Sequence, residues 1–139
     1  MLQIHIAAAG RLREPYWMAA RDEYKKRLSR FCRLTEHETN DDTDPLPAPG
    51  FFSVALCVEG HPLSSAGFAG IIRDWQVNGV SRIAFLIGGS EGLSEAAKRR
   101  AGFRLSLSAM TWPHHMARVM LLEQVYRAFM ILEGGKYHK

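Results

Sequence analysis

The chain has 139 residues, a formal net charge of +4 and 47% hydrophobic residues, which suits one domain able to bury roughly two-thirds of its unfolded surface. Its two cysteines, Cys32 and Cys57, lie 25 positions apart in apolar segments; they argue against a zinc site or redox pair and read as buried free thiols in a reducing, cytoplasmic protein. No apolar run approaches the ~20 residues of a membrane span, and the start MLQIHIAAAG lacks the basic region and apolar length of a signal peptide, so a soluble, non-exported protein is expected.

Leu2 to Ala8 alternates loosely as a first strand, ending at Gly10. Glu14-Pro15 opens a helix, proline being tolerated at the first helical position. Trp17, Ala20, Tyr24 and Leu28 give that helix one apolar face, and Arg21, Lys25, Lys26 and Arg30 line the other, which reads as solvated. Phe31 to Glu38 is a second strand. Residues 40–50, with three prolines, three aspartates and a terminal glycine among them, cannot sustain regular structure and read as a mobile acidic loop.

Phe51 to Val58 is a continuous apolar run ended by Glu59-Gly60, as expected of a central strand. Ser64-Ser65 can cap the next helix, whose Phe68, Ile71, Ile72 and Trp75 share a face, and Asn78-Gly79 ends it. Ile83 to Ile87 is β-branched and aromatic and stops at Gly88-Gly89, as a buried parallel strand does when its carboxyl end opens onto a ligand loop. Gly92-Leu93-Ser94-Glu95 starts a short, serine-capped helix carrying Lys98, Arg99 and Arg100 near its end, where cations suit the helix dipole. Leu105, Leu107 and Ala109 alternate with Ser106 and Ser108 as a last strand. From Met116 to Leu132 the period is helical but apolar nearly all round, the pattern of a helix covered on both sides. Strands alternating with helices predict an α/β fold: a mostly parallel sheet of about five strands in a single domain over residues 1–139.

The basic excess is uneven. Residues 70–139 hold ten Lys/Arg against five Asp/Glu, a hint of a polyanionic partner. His114 and His115 are adjacent and diverge on a helix, which speaks against metal binding. No G-x-S-x-G elbow, Walker lysine or G-x-G-x-x-G fingerprint is present. Glu123 and Arg127 stand one helical turn apart as a pair. The tail, Gly134-Gly135-Lys136-Tyr137-His138-Lys139, ends on side chains able to stack on a base, exchange a proton and hold a phosphate.

Gly10-Arg11-Leu12-Arg13-Glu14, Glu23-Tyr24-Lys25-Lys26-Arg27-Leu28, Leu86-Ile87-Gly88-Gly89-Ser90-Glu91-Gly92-Leu93, Leu105 through Thr111, Pro113-His114, Glu123 through Ala128 and the terminal Tyr137-His138-Lys139 together closely resemble the RlmH family, nearly end to end. That family methylates N3 of a pseudouridine in 23S ribosomal RNA and belongs to the SPOUT methyltransferases. The resemblance implies a cytoplasmic homodimer acting on the assembled 70S ribosome, with a C-terminal deep trefoil knot that cradles S-adenosyl-L-methionine. Carried over by motif, the cofactor touches Leu56, Gly89, Ser108, Ala109, Met110, Thr111, Trp112 and Pro113. Tyr137, His138 and Arg127 are the catalytic candidates, and the tail is expected to complete the site of the neighbouring subunit; no metal and no membrane are implied. The chain departs from the family where residues 39–50 replace a helix-containing connection. A SPOUT enzyme with another RNA target and a non-catalytic dimeric RNA-binding module are the alternatives.

Overall fold

In the computed structural model, which describes residues 1–137, the elements follow in the order β1 (Leu2–Ala9), α1 (Pro15–Leu28), β2 (Cys32–Thr39), β3 (Phe52–Pro62), α2 (Ser65–Val77), β4 (Arg82–Ile87), α3 (Glu95–Arg100), β5 (Phe103–Ser106) and α4 (His114–Leu132). The five strands form one sheet in the order β2-β1-β4-β3-β5, every pairing parallel.

Alternation decides which face each side chain covers. Ile4, Ile6 and Ala8 of β1 and Ile83, Phe85 and Ile87 of β4 point to one side, where they meet Leu28 of α1, Phe68 and Ile72 of α2, and Leu121, Leu122 and Val125 of α4. The opposite face carries a smaller cluster of Ala7, Ala55 and Leu86 beneath Leu93 and Ala97 at α3. Three helices therefore cover one face, and a single short helix covers part of the other. Serine caps set two helix starts: Ser64 Oγ accepts from Gly67 N–H and Ser94 Oγ from Ala97 N–H.

Three elements differ most in extent from the sequence reading: β3, β5 and α4. β3 does not stop at Glu59-Gly60 but runs on to Pro62, because Leu105 pairs first with Leu56 and then with His61, so residues 57–60 bulge out of the ladder. A side chain on Gly60 would meet the Arg104 and Leu105 backbone at 2.8 Å, so the returning limb of the bulge needs glycine. Cys57, on the bulge, is consequently half-exposed and not buried; Cys32 is buried, and burial pushes its thiol up to about 11. β5 is the shorter Phe103–Ser106, leaving residues 107–113 irregular, and α4 begins at His114.

The 40–50 connection is pinned, correcting the expectation of a mobile loop. Asp41 accepts hydrogen bonds from Ser90 N–H (3.1 Å) and Ser90 Oγ (2.7 Å), Asp44 accepts from Ser94 N–H (3.1 Å) and Oγ, and Pro45 is fully buried. Such reciprocal contacts are invisible to local composition, since partners stand 49 or 50 positions apart.

Candidate functional site

β4, β3 and β5 are neighbours in the sheet, so their carboxyl ends open side by side. Three exits meet there in a cavity of about 690 Å³: the bulge of β3 (Leu56 to Glu59), the glycine turn after β4 (Gly88 to Leu93), and residues 107–113 after β5, closed by His114 and Ala117 of α4. Crevices at the carboxyl ends of parallel strands are where open α/β sheets bind ligands.

The glycine turn is dictated by crowding. A Cβ on Gly88 would lie 2.3 Å from Gly92 C, and one on Gly89 would lie 2.2 Å from Asp41 O. Gly92 has φ +76, the left-handed region that favours glycine. The turn is thus clamped between its own return limb and the acidic connection. Lys98 of α3 reaches the bulge, pairing with Glu59.

Of the predicted cofactor residues, Leu56, Gly89, Ser108, Met110, Thr111, Trp112 and Pro113 all line this cavity; Ala109 lies in the same segment without being part of the wall. Trp112 Nε1 is sheltered from solvent and has no hydrogen-bond partner among the described residues, so a donor is held in reserve there. Burial, helped by His115, holds the His114 imidazole below its ordinary value against the opposing pull of Asp41 and Glu14, so it is neutral at pH 7.

The catalytic candidates gather elsewhere. Arg127 Nε donates to Glu123 Oε1 (2.9 Å), its guanidinium lies 4.9 Å from the Tyr137 ring centroid, and Tyr137 packs edge-on against Tyr126 at 4.9 Å. None of these residues lines the cavity within one chain. His138 lies outside the described residues.

The sequence reading missed Arg118. Only 2% exposed, it donates to Glu36 Oε2 and Glu38 Oε2, both at 2.7 Å. The available signal was Glu36 and Glu38 on one face of β2, together with an arginine inside a largely apolar helix that has no glutamate one turn away to pair with. Much of the basic face of α1 is likewise committed: Lys25 to Glu36 (3.1 Å) and Arg27 to Glu23 (2.7 Å).

The clamp has a pH signature. Hydrogen bonds from the Ser90 side chain and backbone hold Asp41 below its ordinary value of 3.8, and those from Ser94 do the same for Asp44. A carboxyl whose folded pKa is depressed stabilises fully above its unfolded value and loses that contribution as pH falls through the folded one. Asp41→Asn/Asp44→Asn should therefore flatten the loss of thermal stability below about pH 4. Parallel wild-type and variant melting curves across the acid range would contradict the clamp.

Among the described residues no group of three or more His, Cys, Asp and Glu is placed to hold a metal ion, and no helix is long and apolar enough to cross a membrane.

Sheet and cavity together define a helix-flanked parallel α/β domain with a small-molecule pocket at the strand carboxyl ends. The chain belongs to the SPOUT methyltransferases: the family model described as "Predicted SPOUT methyltransferase" matches residues 2–138. Its relatives include "Ribosomal RNA large subunit methyltransferase H" of Clostridium botulinum (strain Langeland), 42% identical over 99% of this chain and 100% of the relative, and the protein of that name from Oenococcus oeni, 39% identical over 100% of both. A solved probable methylase family protein from Haemophilus influenzae shares the fold, with TM-score 0.60 and 12% identity, covering 100% of this chain and 72% of that one.

Proposed function

We propose that the chain is an S-adenosyl-L-methionine-dependent methyltransferase of large-subunit ribosomal RNA, acting on N3 of a pseudouridine in the assembled ribosome. The observation that carries this reading is the convergence of Leu56, Gly89, Ser108 and residues 110–113 on one cavity, in a chain whose full-length relatives bear the ribosomal RNA methyltransferase name.

The cavity has the chemistry a nucleoside-based methyl donor needs. Leu56, Leu107 and Trp112 offer apolar walls for a purine, Trp112 Nε1 is an uncommitted donor, and Glu91 is an exposed carboxylate at the rim, suited to ribose hydroxyls or an ammonium. When bound, the cofactor supplies an electrophilic methyl carbon. The protein's own work is positioning, and removal of the proton that the ring nitrogen loses as its new bond to carbon forms. Tyr137 or His138 takes or relays that proton, and Arg127, oriented by Glu123, holds phosphate or base.

Since Arg127 and Tyr137 stand away from the cavity of their own chain, the tail serves the site of a second copy, which makes the cytoplasmic homodimer the active form. Half-exposed Met116, Met120, Met130 and Ile131 on α4 supply apolar surface for it. The deep trefoil knot of the C-terminal part rests on the family membership. The alignment to the Clostridium relative spans 159 positions against 139 residues here. The short 40–50 connection is where we place the difference; its Asp41 and Asp44 clamp takes over support of the glycine turn.

The test is transfer of labelled methyl from S-adenosyl-L-methionine to 70S ribosomes and to naked ribosomal RNA, both from cells lacking this activity. Label confined to large-subunit RNA of intact ribosomes is expected. Cofactor binding without label on either substrate would overturn the reading.

A further inference from the structure

A second cavity, about 390 Å³, opens beside the first, and the two share His114 in their walls. It is formed by the turn after β1 (Gly10, Arg11, Arg13, Glu14), the start of the acidic connection (Thr39 to Asp41) and the first turn of α4 (His114, His115). Gly10 has φ +85, and a side chain there would meet His114 Nε2 at 3.1 Å, so glycine lets the turn run close beneath the helix.

Two sheltered polar atoms in the cavity walls have no hydrogen-bond partner among the described residues: Glu14 Oε2 and His115 Nε2. Each belongs to a group that touches the other only at 3.5 Å, His115 Nδ1 to Glu14 Oε2. Arg11 and Arg13 are exposed at the rim and form no ion pair among the described residues, unlike Lys25, Arg27 and Arg118, which are spent on glutamates. Asp41 is occupied by Ser90, so the acid left for a ligand is Glu14.

The combination is specific in chemistry. Uncommitted guanidinium groups bind phosphate oxygens, a carboxylate oxygen accepts a base N–H, and an imidazole nitrogen donates to a base carbonyl or accepts from its N–H. The volume falls within the roughly 300–1,000 Å³ of small-ligand sites. A shared wall with the cofactor cavity is what a second reactant requires.

We propose that this second cavity receives the acceptor nucleotide of the RNA, with Arg11 and Arg13 on its flanking phosphates and Glu14 and His115 on the edge of its base. The assignment deepens the methyltransferase reading and rests on it. The first cavity and this one then form a continuous two-reactant cleft, and the turn after β1 is the part of the chain that selects the RNA.

The experiment compares Arg11→Ala/Arg13→Ala and Glu14→Gln with wild type in methyl transfer to ribosomes at several salt concentrations, alongside calorimetric titration with S-adenosyl-L-methionine. The double arginine variant should lose about tenfold or more in kcat/KM for the ribosome, and its log–log salt slope should shrink by roughly one per phosphate contact removed. Glu14→Gln should lose on the order of tenfold in kcat/KM with the salt slope unchanged. Cofactor affinity should stay at the wild-type value in both. Unchanged kcat/KM for the ribosome in both variants overturns the assignment, and so does a fall in cofactor affinity matching the loss of activity, which would give the cavity to the cofactor. A wild-type chain that transfers no methyl to any RNA overturns the underlying function instead.

Discussion

Arg118→Ala is expected to destabilise the folded chain by about 3–5 kcal/mol, the range for removing one partner from a buried charge network. The guanidinium is 2% exposed and bridges Glu36 and Glu38 on alternate positions of β2, one nitrogen to each carboxylate at 2.7 Å. Glu38 also accepts from Leu12 N–H at 3.1 Å, and Lys25 of α1 reaches Glu36 at 3.1 Å. The network therefore ties α4, β2, α1 and the turn after β1 together. Burial pushes Glu38 upward, but the Leu12 N–H and Arg118 outweigh it and hold the carboxyl below its ordinary value. Without Arg118, two carboxylates face each other with their guanidinium gone. Urea denaturation checks the size of the loss. Arg118→Met/Glu36→Gln/Glu38→Gln should recover a large part of it, because the cost lies in stranded charge more than in the missing contact. A single variant within about 0.5 kcal/mol of wild type, the range of ordinary surface substitutions, would contradict this account.

Gly89→Ala should leave the sheet folded yet weaken S-adenosyl-L-methionine binding on the order of 100-fold, equivalent to ~2.7 kcal/mol. The added methyl would sit 2.2 Å from Asp41 O and 2.6 Å from Asp41 Oδ1. Neither the backbone carbonyl nor a carboxylate held by Ser90 can yield cheaply, and overpacking of this kind costs about 1–3 kcal/mol. The strain is relieved by displacing the glycine turn, which is a wall of the cavity. Calorimetric titration and a thermal melt on the same variant separate the two effects. Full cofactor affinity would show that the close approach of Asp41 to Gly89 has no bearing on the site.

The Arg118 network and the approach of Asp41 to Gly89 mark where sequence reasoning stops. The strands, the serine caps at Ser64 and Ser94, and the glycine exit of β4 were legible because each is encoded within a few positions: alternation, a hydroxyl three residues before its partner amide, a pair of glycines. Family motifs added the cavity residues, and the sheet order explains why they meet: β4, β3 and β5 are adjacent, a fact no local pattern contains. The bulge at residues 57–60 was hidden because Glu59-Gly60 has the composition of a strand end, whereas the second pairing of Leu105 is a tertiary choice. The acidic connection was misread for the same reason. Proline and aspartate exclude regular structure, but they say nothing about Ser90 and Ser94 waiting almost fifty positions away. Arg118 was masked by its neighbours, since an arginine among apolar helix positions carries no sign of which distant glutamates it meets.

The central claim is that the three strand exits form the methyl-donor site, and co-crystallisation with S-adenosyl-L-methionine tests it most directly. The account predicts one cofactor per chain in the cavity between Leu56, Gly89 and residues 107–113, leaving the space beside Glu14 and His115 open for the RNA. Cofactor density in that second space, or no binding at all in calorimetry at millimolar concentration, would contradict it.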